Sequence, residues 1–227
     1  MKTTLRSLFA LLMSVASMMP NKTMAQTSFT SSPGSITITT GSIPTPYPSN
    51  ITVSGLSGVI QKVTVSLNNL NVSAASDLYI LLVGPGGQNF VIMSDAGGVT
   101  PWGTISLTLD DGGANGLSTS GQPIGTVKPA DFLGLPADNY LSPAPASPNS
   151  PAPTGSSTFA SVFNGTHPNG TWSLYVVDGG VNPGGTLGSW TITITTVCVN
   201  NPVVTNNNTP AIEACGKRYW MHAPGAH

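Results

Sequence analysis

Between Trp190 and Thr195 the chain reads Trp-Thr-Ile-Thr-Ile-Thr, with apolar and hydroxyl side chains in strict alternation. Successive side chains of a β-strand point to opposite faces, so this segment has one greasy face and one wet face. The same period recurs along the chain. Val63, Val65 and Leu67 alternate with Lys62, Thr64 and Ser66, and Ile105, Leu107 and Leu109 alternate with Ser106 and Thr108. Trp172, Leu174 and Val176 share one face of a further segment. Asp77-Leu78-Tyr79-Ile80-Leu81-Leu82-Val83 is more continuously apolar, as a central strand covered on both sides should be. Gly84-Pro85-Gly86-Gly87 then forms a tight turn, and Asn89 to Met93 returns as its hairpin partner. After the first 25 residues no helical period of useful length occurs. Short alternating strands between Gly-rich turns predict an all-β protein with two packed sheets, a β-sandwich.

Charge narrows the class further. Charged residues are 7% of the chain, against roughly 25% in an ordinary soluble domain. Seven Lys and Arg face eight Asp and Glu, which offers no basic surface for a phosphate backbone, so nucleic acid is not an expected partner. Lys2 and Arg6 precede an apolar stretch from Leu8 to Met19, and Thr23-Met24-Ala25 supplies a near small-x-small cleavage site. Residues 1–25 therefore read as a signal peptide, which makes the protein secreted or cell-surface. No apolar run reaches the roughly 20 residues of a transmembrane span. Cleavage would leave four basic against eight acidic residues, a net charge of -4.

The remaining chain divides by composition. Residues 26–49 are Ser/Thr/Pro-rich, and Ser35 to Thr39 alternates as an edge strand or tether would. The sandwich is expected over residues 50–197. Within it, residues 113–157 read as loop, with a Pro/Ala/Ser stretch from Pro143 to Pro153. Residues 198–227 form an Asn-rich tail, expected to be the truncated or mistranslated end of a longer surface protein. Cys198 and Cys215 flank that tail, and in an exported chain they are candidates for a disulfide that closes a short loop.

The seven aspartates all lie between residues 77 and 178. Asp77 opens a strand, Asp110 and Asp111 close one, and Asp178 closes another beside Gly179-Gly180. Carboxylates at strand ends beside Gly-rich loops suit Ca2+, which takes six to eight oxygens in flexible geometry. The alternative is that each Asp accepts backbone N–H groups in an Asx-turn. Asp77, Asp110, Asp111 and Asp178 are thus the candidate metal ligands, with Ca2+ the candidate cofactor. Trp172 and Trp190 alternate in phase with aliphatic residues and read as core. Trp102, after Pro101 in a Gly-rich loop, is the aromatic candidate for ligand contact. Asn-x-Ser/Thr sequons stand at Asn50, Asn71, Asn164, Asn169 and Asn207. His167, in the loop Asn164 to Pro168, reads as an exposed loop residue. No nucleophile segment of the Ser-His-Asp kind is found, so no catalytic residue is assigned.

Five segments in order resemble a known module. They are Asp77-Leu78-Tyr79-Ile80-Leu81-Leu82 with Gly84-Pro85-Gly86-Gly87, Leu109-Asp110-Asp111-Gly112-Gly113-Ala114, Phe159 to Gly165, Asn169 to Asp178, and Gly185 to Ile192. The chain is similar here to the P domain (P/Homo B domain) of kexin- and furin-like proprotein convertases, without their subtilisin-like catalytic domain. The Asn71-Val72-Ser73 stretch departs from the His-Thr often found there, and residues 141–153 look like an insertion. The resemblance implies a jelly-roll, galactose-binding-like sandwich of about eight strands. It implies a non-catalytic accessory or interaction module, associated with serine-type endopeptidases and proteolysis, whose partner is a protease catalytic domain or another surface domain. It also brings the strand ends bearing the four candidate aspartates near one another. The alternatives are a carbohydrate-binding or adhesin-like module with a glycan ligand, and a fragment of a secreted subtilisin-like protease.

Overall fold

The computed structural model describes residues 21–132, 138–146, 157–181, 184–204, 210–214 and 217–220. Residues 1–20, most of the expected signal peptide, lie outside them. The strands in chain order are β1 (Asn21–Thr30), β2 (Ile36–Ile38), β3 (Ser49–Val53), β4 (Val59–Val72), β5 (Leu78–Val83), β6 (Asn89–Ser94), β7 (Trp102–Leu109), β8 (Asn115–Gly116), β9 (Gly125–Lys128) and β10 (Ala130–Asp131). A short helix α1 (Phe159–Phe163) follows, then β11 (Gly170–Asp178), β12 (Gly185–Val204), β13 (Pro210–Ala214) and β14 (Lys217–Trp220).

Two compact units are formed. Met24–Val197 is the sandwich, and Met1–Thr23 with Cys198–His227 is the other. The smaller sheet of the sandwich runs β10-β6-β5-β11-β3. The larger has β4 between β7 and β12, with β9 and β8 beyond β7, and both β1 and β2 pair with β12. The all-β sandwich expected from the period-2 pattern is therefore the fold. The sandwich begins well before residue 50, because β2 in the Ser/Thr/Pro-rich segment buries Ile36 and Ile38 and pairs with Gly185–Leu187. The eight expected strands are exceeded by short ones. β8 and β10 have two residues each, too few for any periodicity to show.

Register follows the alternation. Leu67, Val65 and Val63 of β4 stand opposite Trp190, Ile192 and Ile194 of β12, and all six are buried. Ile80 and Leu82 of β5 stand opposite Val176 and Leu174 of β11, which close the core from the other side. Both core tryptophans also satisfy their indole N–H, as a buried ring must. Trp172 Nε1 donates to the Pro168 carbonyl at 2.9 Å and Trp190 Nε1 to Ser49 Oγ at 3.0 Å.

The wet face of the larger sheet carries a lattice of short hydroxyl and amide side chains. Ser28 and Thr193 hydroxyls meet at 2.8 Å, Thr30 and Thr191 at 2.9 Å, and Ser66 and Thr108 at 2.8 Å. Asn68 Nδ2 donates to Thr191 at 3.1 Å. These cross-strand pairs are the polar counterpart of the core register.

Two segments depart from expectation. Residues 113–157 contain β8, β9 and β10, which pair in parallel with their neighbours. The tail also contains ordered strands. Asn201–Val204 of β12 pair antiparallel with β13, and β13 with β14. Cys198 is disulfide-bonded. Cys215 lies outside the described residues.

Candidate functional site

The four candidate aspartates fall at two opposite ends of the sandwich. Lys62 and Val72 are ten residues apart on β4, roughly 30 Å at the rise of a strand. Asp110 and Asp111 belong to the Lys62 end. Asp77 and Asp178 belong to the Val72 end, where Ser73 N donates to the Gly184 carbonyl and Gly179 N to the Asp77 carbonyl. The length of that strand therefore separates Asp77 and Asp178 from Asp110 and Asp111, whereas the expected site joins Asp77 and Asp178 with one of Asp110 or Asp111.

At the Lys62 end each carboxylate already has protein partners. Asp110 accepts from Lys62 Nζ at 2.7 Å and from Gly112 N at 2.8 Å. Asp111 accepts from Phe159 N at 3.1 Å and Ala160 N at 2.9 Å. These are the first two N–H groups of α1, which no turn of the helix can satisfy. Thr158 completes the cap. Its Oγ1 accepts from Ser161 N while Ser161 Oγ accepts from Thr158 N. Phe159 and Phe163 are thereby held in the core, where Phe159 meets Phe90 edge-on at 5.0 Å and Phe163 meets Trp172 at 5.0 Å. Asp110 thus makes an Asx-turn contact, and Asp111 accepts backbone N–H groups at the start of a distant helix.

The Val72 end is acidic. Asp178 is buried at 7% exposure and accepts from Thr40 Oγ1 and Gly180 N, each at 3.0 Å. Gly180 packs so closely on Asp77 that any Cβ there would overlap its carboxylate. Tyr79, Asp95, Asp138 and Asp178 line a cavity of about 420 Å³ floored by Gly179. Burial raises the Tyr79 phenol above its usual range, and the charges of Asp95, Asp138, Asp77 and Asp178 add to it. Asp138 is pushed up to about 6 by burial, with Asp131 and Asp95 adding to the shift against hydrogen bonds from Ser94 and Tyr140. Despite this density, no group of three or more His, Cys, Asp or Glu among the described residues is arranged to hold a metal ion.

Asp95 and Asp138 escape sequence reasoning. Asp131 and Ser94 are paired residues of β10 and β6, and Asp138 meets β6 again through Ser94 Oγ. The one available signal was the confinement of all seven aspartates to residues 77–178.

Trp102 is corrected. It opens β7, is 2% exposed, and donates its Nε1–H to the Gly97 carbonyl at 3.3 Å. Its ring lies against Gly97, whose φ of +87° and lack of a Cβ allow the approach. It cannot be an exposed ligand platform. His167 is exposed, as expected. Asn164 is an exposed sequon, whereas the Asn169 side chain is tied at both ends to the Leu56 backbone, at 2.7 and 3.0 Å.

No protein-family model and no curated protein matches the chain. Solved structures similar to it include two of a serine protease. One is the serine protease of Aeromonas sobria in complex with the chaperone ORF2, at 14% identity and a TM-score of 0.38, covering 78% of this chain and 27% of that one. The other is the serine protease of Aeromonas sobria, at 12% identity and a TM-score of 0.36, covering 78% and 28%. This chain therefore spans little more than a quarter of the length of either.

Proposed function

We propose that this chain is a non-catalytic accessory module of an exported protein, of the P-domain kind, that docks on and stabilises a catalytic domain of the serine-type endopeptidase class. The observation that carries this reading is the order of five motif segments together with the work each does in the core. Leu78 to Val83 is the central strand of the smaller sheet, and Gly170 to Asp178 is its neighbour. Gly185 to Ile192 joins the larger sheet to β4. Asp111 anchors α1, and Phe159 to Gly165 is that helix with its C-terminal turn. In each segment the motif residues maintain the sandwich, which supports a module selected for its surface and its stability.

The test starts from the culture medium of the source organism. Antibody against the chain should precipitate a species that a fluorophosphonate serine-hydrolase probe labels, either as part of the same polypeptide or bound to it. The purified recombinant chain should take up no probe and should not cleave casein or fluorogenic dibasic peptides. A precipitate free of labelled hydrolase would overturn the reading, as would labelling of the recombinant chain itself.

A further inference from the structure

Leu81, Val91 and Tyr175 form a second apolar cluster, separate from the core. They stand opposite one another on β5, β6 and β11, on the outer face of the smaller sheet. Residues 138–146 lie over them as a strap. Tyr140 and Ala144 pack on the cluster beside Tyr47. Tyr47 Oη donates to the Leu141 carbonyl at 2.9 Å, Tyr175 Oη donates to the Pro143 carbonyl at 3.3 Å, and Ala144 N donates to Leu141 within the strap.

At the start of the strap one hydroxyl faces two carboxylates. Ser94 Oγ is fully buried and stands 2.9 Å from Asp138 Oδ1 and 3.0 Å from Asp95 Oδ2. A serine has one hydroxyl proton and can donate to only one of them. A proton on Asp138 resolves the conflict. Asp138 then donates to Ser94 Oγ, Ser94 donates to Asp95, and Tyr140 Oη, 3.3 Å from Asp138 Oδ2, donates to the other oxygen. Each hydrogen in the chain has one acceptor.

We propose that the strap 138–146 is an acid-strengthened clamp: a proton held on Asp138 ties it to β6 through Ser94, and loss of that proton loosens it from Leu81, Val91 and Tyr175. The groups facing Asp138 are Asp95 after β6, Asp131 of β10 and Tyr140 of the strap. Tyr79 of β5 shares their field with Asp77 and Asp178. The direction follows from linkage. Asp138 binds its proton more tightly in the closed strap, up to about 6 against an ordinary 3.8. The clamp is therefore strongest in acid and weakens as pH rises through about 6. The constant for strap closure should rise about tenfold from about pH 7.5 to about pH 5.

Hydrogen exchange of the full chain, read by mass spectrometry over residues 78–94 and 138–146 and corrected for intrinsic rates, tests this. The wild type should be more protected at the lower pH. Asp138→Asn places an amide donor beside Ser94 Oγ and should be protected equally at both. Asp95→Asn removes the competing carboxylate and should shrink the step. Equal wild-type protection at both values would overturn the clamp. So would a full step surviving in Asp138→Asn or, should that variant not fold, in Asp95→Asn.

Discussion

A single carboxylate joins the end of β7 to the start of α1. Asp111→Ala strips the acceptor from two helix N–H groups and should cost about 1–2 kcal/mol, the range of a lost helix cap. Asp111→Asn, with one acceptor oxygen left, should fall between. Denaturant midpoints at constant slope measure both. Trp172 and Trp190 are fully buried, so replacing either with Ala should cost roughly 3–5 kcal/mol, and a melting temperature within two or so degrees of the parent would refute that placement. Their burial was readable from sequence because each sits in phase with Leu174 and Val176, or with Ile192 and Ile194. Trp102 was not, because its place depends on contact with Gly97, set by a loop without period.

Elements were legible in proportion to their length. β4, β11 and β12 carry enough alternation to fix both their type and their buried face, and β5 is marked as a central strand by its continuous apolar run. β8, β9 and β10 have two to four residues, and α1 has five, so no periodic signal can develop in them. The same limit governs the aspartates. Their positions at strand ends followed from local pattern, but which ends meet depends on strand lengths and on the β6–β10 pairing. With Asp110 and Asp111 engaged by Lys62 and α1, millimolar Ca2+ should stabilise the domain no more in the parent than in Asp110→Asn and Asp111→Asn. Thermal melting in chelator and then in CaCl2 checks this, and a rise that vanishes in those two variants would restore a cation to that end.

Among the described residues, hydroxyl and amide pairs take the place that ion pairs hold in other surfaces. The Lys62–Asp110 pair is partly exposed, at 52% and 15%, and such pairs contribute about 0–1 kcal/mol. Lys62→Ala should therefore shift stability by less than about 1 kcal/mol, and unfolding midpoints should change little with added NaCl. A midpoint that falls steeply with salt would show an electrostatic contribution absent from the contacts described here.

β12 has a temporal consequence. It is the last strand of the sandwich to be synthesised, yet it pairs with β1, β2 and β4. Ser28 meets a residue 165 positions later. Contacts that span so much chain close late, because the loop entropy is lost before any contact compensates it. A ribosome that has released only residues 1–184 holds a chain whose β4 is paired with β7 on one edge and lacks β12 on the other. Stalled or truncated there, the polypeptide should be protease-sensitive and unfolded, and a few tens of residues more should convert it to the resistant form in one step. Folding of the sandwich is thus deferred until its final strand is available.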